Sequence, residues 1–68
     1  MNVITCDTWG EMPVDRQFMV CDDLLAEDAA ARYFDKFGVR AKTVYRWLWY
    51  WYIPVPSDDE LPIFAGSI

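Results

Sequence analysis

The chain has 68 residues, of which 54% are apolar, 18% are aromatic and 25% are charged, with a formal net charge of -5. A chain of this length builds one hydrophobic core, and its apolar content is too high for a disordered protein. We therefore expect a single folded domain over residues 1–68. Histidine is absent, and with it the commonest general base and metal ligand, so we expect no enzyme, no metal site and no cofactor.

The first part of the chain predicts two short strands joined by a loop. Residues 2–6 and 16–21 are rich in apolar and β-branched side chains, which favour strands. A glycine and a proline interrupt the pattern between them. We expect a loop there, with Trp9 and Met12 as its anchors.

The two cysteines, Cys6 and Cys21, are too few for a disulfide framework and too far apart for a CxxC motif. We expect two buried free thiols, and a disulfide only if the two residues lie on neighbouring strands. The sequence shows no basic leader and no apolar run of membrane-spanning length. It thus predicts a cytoplasmic protein that makes no membrane contact.

Residues 23–37 predict an amphipathic helix, because apolar side chains recur there every three or four residues. Asp22 or Asp23 can cap its first turn by accepting a backbone N–H bond, and Gly38 suits the left-handed residue that ends a helix. On the exposed side, Asp28 and Arg32 are four residues apart and predict an ion pair. The expected buried stripe is Ala26, Ala30, either Tyr33 or Phe34, and Phe37.

Residues 43–55 are dense in β-branched and aromatic side chains and contain no glycine, which predicts one long strand or a strand bent into two. Strand alternation then places Trp47, Trp49 and Trp51 on one face and Arg46 on the other. Both faces are apolar, and one helix cannot cover both. We expect the second face to be covered by the Trp9 loop and the C-terminal segment, or by another molecule.

These elements predict an α+β domain in which a small, mostly antiparallel sheet of three or four strands packs one face on the helix. The expected order is ββαβ. A last strand over residues 62–65 is optional, and Pro62 is tolerated there because an edge strand need not donate every N–H.

The aromatic run leaves three interpretations open. It can be core, because large aromatic side chains give a small domain buried area. It can be a protein interface through Trp47, Trp49 and Trp51, since Trp is enriched in binding hot spots. It can also stack on single-stranded nucleic acid, although the net negative charge opposes direct nucleic-acid binding.

The acidic residues Asp22, Asp23, Glu27 and Asp28 leave two interpretations open. They can cap the helix and form a solvated face. They can also imitate nucleic acid, because carboxylates one helical turn apart lie about 5 to 6 Å from each other, near the spacing of phosphates. The second interpretation predicts a partner with an Arg/Lys groove, that is, a host nucleic-acid-binding protein.

In size, acidity and layout the chain resembles the short accessory proteins of bacteriophages and mobile elements, among them the anti-CRISPR proteins. The helix sequence AEDAAARYF at residues 26–34 and the strand segment at residues 44–55 carry the resemblance. It implies a protein of the host cytoplasm that binds a CRISPR effector complex and blocks its DNA or RNA binding. A homo-oligomeric structural or accessory phage subunit is the alternative. The basic segment 32–46 departs from a uniformly DNA-like surface and suits contact with acidic protein or guide RNA.

Overall fold

The computed structural model describes residues 1–13 and 15–57. It confirms the α+β class, with one helix and a four-stranded sheet in the described part of the chain. The order is ββαββ rather than ββαβ, because residues 43–55 form two strands. The optional strand at 62–65 lies outside the described residues. The elements are β1 (Asn2–Thr5), β2 (Phe18–Cys21), α1 (Ala26–Phe37), β3 (Thr43–Trp47) and β4 (Tyr50–Pro54).

The strands lie side by side in the order β1-β3-β4-β2. β1 pairs with β3 in parallel, whereas β4 is antiparallel to both β3 and β2, so the sheet is mixed and mostly antiparallel as predicted. β1, β2 and β3 consequently run in the same direction. The connection from β2 to β3 passes through α1 over one face of the sheet, with β4 inserted between the two strands as in a split βαβ unit.

A two-residue turn at Leu48 and Trp49 divides the predicted long strand into the hairpin β3–β4. Leu48 has a φ of 56°, a conformation that such turns require and that glycine or asparagine normally supplies. The turn pairs Trp47 with Tyr50, so these two side chains share one face and Trp51 points to the other. The assignment of Trp47, Trp49 and Trp51 to a single face is therefore wrong.

The face that packs on α1, here called the helix face, carries the larger core. Val44 and Ile53 are almost completely buried there beneath Ala29 and Tyr33 of the helix. The Tyr33 hydroxyl donates a hydrogen bond of 3.0 Å to the carbonyl oxygen of Pro54. Of the two alternatives for the buried stripe, Tyr33 is 3% exposed and Phe34 is 46% exposed, so Tyr33 belongs to the core.

Helix α1 begins later than predicted, at Ala26, and its cap residue is Leu25 without a side-chain hydrogen bond. Capping by Asp22 or Asp23 is therefore wrong. Both lie at least two residues before the cap, and the Asp23 side chain is engaged elsewhere. The predicted end of the helix at Gly38 is confirmed. Gly38 adopts a φ of 74°, and its N–H donates to the carbonyl of Phe34 at 2.7 Å.

The opposite face, here called the loop face, is covered by the connection between β1 and β2. Met12 from this connection is 3% exposed and packs with Cys6 and Tyr52. The ring of Trp9 meets those of Trp47 and Tyr52 edge-on, with centroid distances of 5.1 and 5.5 Å. The predicted anchoring by Trp9 and Met12 is confirmed, and part of the second apolar face is covered from within the chain.

Both cysteines are free and buried, as predicted. Cys21 lies on the helix face of β2, whereas Cys6 follows β1 at the other edge and packs on the loop face. Burial raises the pKa of both thiols, and that of Cys21 reaches about 11. Within the described part of the chain, no helix has the length and apolar character that crossing a bilayer requires.

The two neighbouring aromatics of α1 give a direct test of which side the helix buries. Tyr33→Ala should lower the free energy of unfolding by about 3 to 5 kcal/mol, because it empties a buried ring site and removes a hydrogen bond. Phe34→Ala should cost about 1 kcal/mol or less, since half of that ring is already in water. Urea denaturation followed by tryptophan fluorescence measures both. Equal losses for the two variants would contradict this helix orientation.

The positive φ of Leu48 predicts that this position prefers glycine. Leu48→Gly should raise the free energy of unfolding by about 0.5 to 1 kcal/mol, because removing the left-handed strain outweighs the added entropy of the unfolded chain. Trp49→Gly is the matched control, since Trp49 does not have a positive φ and should gain nothing. A destabilised Leu48→Gly variant would show that the turn is not strained.

Candidate partner-binding surface at the hairpin end of the sheet

Three exposed segments meet at one end of the sheet. Because β1, β2 and β3 run in the same direction, their final residues lie beside the tip of the β3–β4 hairpin. Cys21 is paired with Trp51, and the Cys6 N–H donates to the Arg46 carbonyl at 2.7 Å, which places both strand ends close to the turn. We call this region the hairpin end; it holds the turn, the start of the β1–β2 connection and the first turn of α1.

Large apolar side chains are exposed at the hairpin end. Trp49 at the tip is 74% exposed, and its neighbour Leu48 is 55% exposed. Trp9 keeps 46% of its surface in water although it contacts Trp47. Leu24, just before the helix, is 90% exposed. Exposed apolar groups concentrated in one region are typical of a surface that binds another molecule.

The same end carries most of the described carboxylates. Asp22, Glu27 and Asp28 are exposed in the first turn of α1 or just before it, and Asp7 is exposed after β1. Glu11 belongs to this end as well, since its carboxylate accepts backbone N–H bonds from Asp7 and Thr8. These two bonds, which the Glu11 carboxylate accepts, hold the turn that carries Trp9, so one acidic side chain also orients an exposed aromatic ring.

Asp23 differs from its acidic neighbours because its charge is already paired. Two nitrogens of the Arg32 guanidinium, Nε and Nη2, each donate to one carboxylate oxygen at 3.0 Å. The pair replaces the predicted one between Asp28 and Arg32, which is wrong: the bend before α1 brings Asp23 within reach of the guanidinium. The hydrogen bonds from Arg32 hold the pKa of Asp23 below its usual range. Asp23 therefore contributes little free negative charge to the surface.

Trp51 lies beneath this surface and supports it. Its indole N–H donates a hydrogen bond of 2.7 Å to the backbone carbonyl of Asp23, and only 7% of the residue is exposed. The guanidinium of Arg46 lies 4.4 Å above the centre of the Trp51 ring. Arg46 also donates from Nε to the Leu48 carbonyl at 3.2 Å. The two contacts of Arg46 connect the buried tryptophan to the hairpin turn.

The predicted partner-binding residues thus fall into three groups. Asp22, Glu27, Asp28 and Trp49 are exposed at the hairpin end, and Trp47 is half-buried on the loop face. Asp23 and Trp51 make internal contacts that hold the helix start to the sheet. Sequence reasoning placed Trp9 as an anchor only, and it left Leu24 and Leu48 out because exposure of a single apolar residue has no sequence signal.

Among the described residues, no cluster of three or more His, Cys, Asp or Glu side chains could hold a metal ion. Comparisons with protein-family models, curated proteins and solved structures found no match for this chain.

The Asp23–Arg32 pair predicts a pH-dependent contribution to stability. Because the folded pKa of Asp23 is depressed, the contribution is present above the unfolded carboxyl pKa of about 3.9 and is lost as pH falls through the folded value. Asp23→Asn should lower the free energy of unfolding at pH 7, and the difference from the native protein should shrink below about pH 4. Chemical denaturation at a series of pH values measures it.

Asp22→Asn is the matched control for that experiment, since it removes the same charge from an exposed side chain one residue away. An equal and equally pH-dependent loss in both variants would assign the effect to general charge and not to the pair with Arg32. Arg32→Gln should remove the same stability as Asp23→Asn, and the double variant should cost little more than either.

Proposed function

We propose that this protein is a binding inhibitor whose hairpin end occupies a basic groove of a nucleic-acid-binding protein and displaces the nucleic acid. The observation that carries the proposal is the position of Trp49. The most exposed tryptophan of the described residues lies at the same end as the free carboxylates of Asp22, Glu27 and Asp28. The proposed activity is binding, without a catalytic step.

An exposed tryptophan at the same end of the sheet as exposed carboxylates suits this kind of partner. A buried Trp at the centre of an interface commonly supplies a large share of the binding free energy. Carboxylates on the same surface attract Lys and Arg side chains and raise the association rate. A groove that binds phosphates offers those cations. The resemblance to anti-CRISPR proteins makes a CRISPR effector complex the first partner to examine.

Self-association is the second candidate, and edge strand β1 favours it. All four residues of β1 are exposed, and on one side the strand has no partner among the described strands. An unpaired edge can add a strand from a second copy. Dimerisation through the hairpin end is disfavoured, because it would bring two acidic surfaces together. A subunit role would therefore use the β1 edge.

The proposal predicts that Trp49→Ala abolishes partner capture. The tagged native chain, incubated with bacterial lysate, should retain a nucleic-acid-binding protein that is released by salt and by that protein's own nucleic acid. Asp22→Asn with Glu27→Gln and Asp28→Asn should weaken capture while leaving the fold intact. Mass spectrometry of the retained proteins and competition with labelled DNA or RNA measure the two effects.

Phe34→Ala is the matched control, because Phe34 is an exposed aromatic on α1, about two helical turns after Glu27. The Phe34→Ala variant should retain the same amount of partner protein as the native chain. Retention of the chain alone would favour the self-associating subunit. Capture that survives Trp49→Ala and the loss of the three carboxylates would place the contact elsewhere and end the proposal.

A further inference from the structure

The opposite end of the sheet carries the reverse charge. There β3 begins, β4 ends and the helix has just finished, so the residues flanking these elements come together. Arg16, Arg40 and Lys42 line one cavity of about 220 Å³ at this end. None of the described residues that line it is acidic, and none of the three cations forms an ion pair with a described residue.

The cavity forms where β3 and β4 separate. Their pairing runs from Trp47 and Tyr50 to Tyr45 and Tyr52 and does not extend to Thr43 or Pro54, both of which line the cavity. Tyr45 and Tyr33 also line it, and with Thr43 they bring three hydroxyl-bearing side chains to the cavity wall. The Tyr33 hydroxyl donates to the Pro54 carbonyl, so Thr43 and Tyr45 are the hydroxyl groups considered as donors to a ligand.

We propose that this cavity binds a phosphate monoester. Three cations meet a group that carries about 1.5 to 2 negative charges and offers three acceptor oxygens. Arg and Lys form short, charge-assisted hydrogen bonds to such oxygens, and the hydroxyl of Thr43 or Tyr45 supplies a neutral donor beside them. The volume lies below the roughly 300 to 1,000 Å³ of sites for whole drug-sized ligands, which suits a single group.

The acidic hairpin end does not prevent this binding. Five residues of β3 place the two ends about 17 Å apart. At physiological ionic strength the Debye length is about 8 Å, so the carboxylates near the hairpin turn are largely screened. Glu27 and Asp35 lie closer, because both line a neighbouring cavity together with Arg40. The three cations outnumber these two carboxylates, and the phosphate site does not depend on the proposed partner at the hairpin end.

The test is a titration of the ¹⁵N-labelled protein, followed by amide chemical shifts, with inorganic phosphate, adenosine 5′-monophosphate and adenosine. Both phosphate-containing probes should move the amide signals of Arg16, Lys42 and Thr43, and adenosine should not. A 5′-phosphorylated oligonucleotide should bind and its 5′-hydroxyl counterpart should not, which distinguishes a terminal monoester from the backbone. Equal binding of both oligonucleotides, or no shift with phosphate, overturns the proposal.

Variants locate the site. Arg40→Gln with Lys42→Gln should raise the dissociation constant for phosphate at least about tenfold, because charged hydrogen bonds are lost. Lys36→Gln removes a charge from the last turn of α1, outside the cavity. This variant should change the dissociation constant for phosphate by less than about twofold. If Lys36→Gln weakened phosphate binding as much as the double variant, binding would depend on the overall positive charge and not on this cavity, and the proposal would be wrong.

Two further variants separate this proposal from its alternatives. Trp49→Ala should leave phosphate binding unchanged, so failure of the proposed inhibitor and failure of this site give different results. Asp58, Asp59 and Glu60 follow the described residues in the chain, and a variant without their three charges tests the cations in the intact protein. Phosphate binding that appears only after Asp58→Asn, Asp59→Asn and Glu60→Gln would overturn the proposal for the intact protein.

Discussion

The hydrogen bond from the Trp51 indole to the Asp23 carbonyl is the contact on which the arrangement of the molecule depends. It joins the middle of β4 to the bend between β2 and α1, two parts of the chain that are 28 residues apart. Because the bend is held, Asp23 can reach Arg32, and the first turn of the helix begins above the sheet with its carboxylates toward solvent. The same ring supports Arg46, whose second contact is to the hairpin turn. One buried side chain thus positions the acidic residues and the exposed Trp49 together.

Burial of both faces explains how so short a chain forms a core. Consecutive residues of a strand point to opposite faces, so Trp51 fills the helix face while Tyr52 fills the loop face, and both are nearly buried. A helix covers one face and an irregular connection covers the other. The irregular connection needs few residues to cover this face, because Met12 and Trp9 pack on aromatic rings of β3 and β4. Large aromatic side chains supply the buried area that a longer chain would take from more residues.

The sequence predicts those features that depend on local chemistry. The helix, its glycine end and the anchoring Met12 follow from periodicity, backbone freedom and the interruption of a regular pattern. The hairpin cannot be predicted in this way, because its turn places Leu48 in a conformation for which glycine is the usual sequence signal. One missed turn of two residues moves Trp51 to the other face, since strand alternation restarts after the turn. The ion pair between Asp23 and Arg32 could not be predicted either, because a bend in the chain, and not the helical spacing, brings the two side chains together.

The separation of charge along the strands changes what the net charge means. Asp7, Asp22 and Asp28 lie at the end where β1 and β2 finish, and Arg16, Arg40 and Lys42 lie where β2 and β3 begin. Glu27 belongs to the first turn of α1 but lines a cavity with Arg40. The separation follows from topology, because three strands running in one direction bring segments far apart in sequence to the same end. A partner that approaches within a Debye length meets one end only. The net charge of -5 therefore describes the field at long range, which favours basic proteins, while a ligand in the cavity at the basic end first meets Arg16, Arg40 and Lys42.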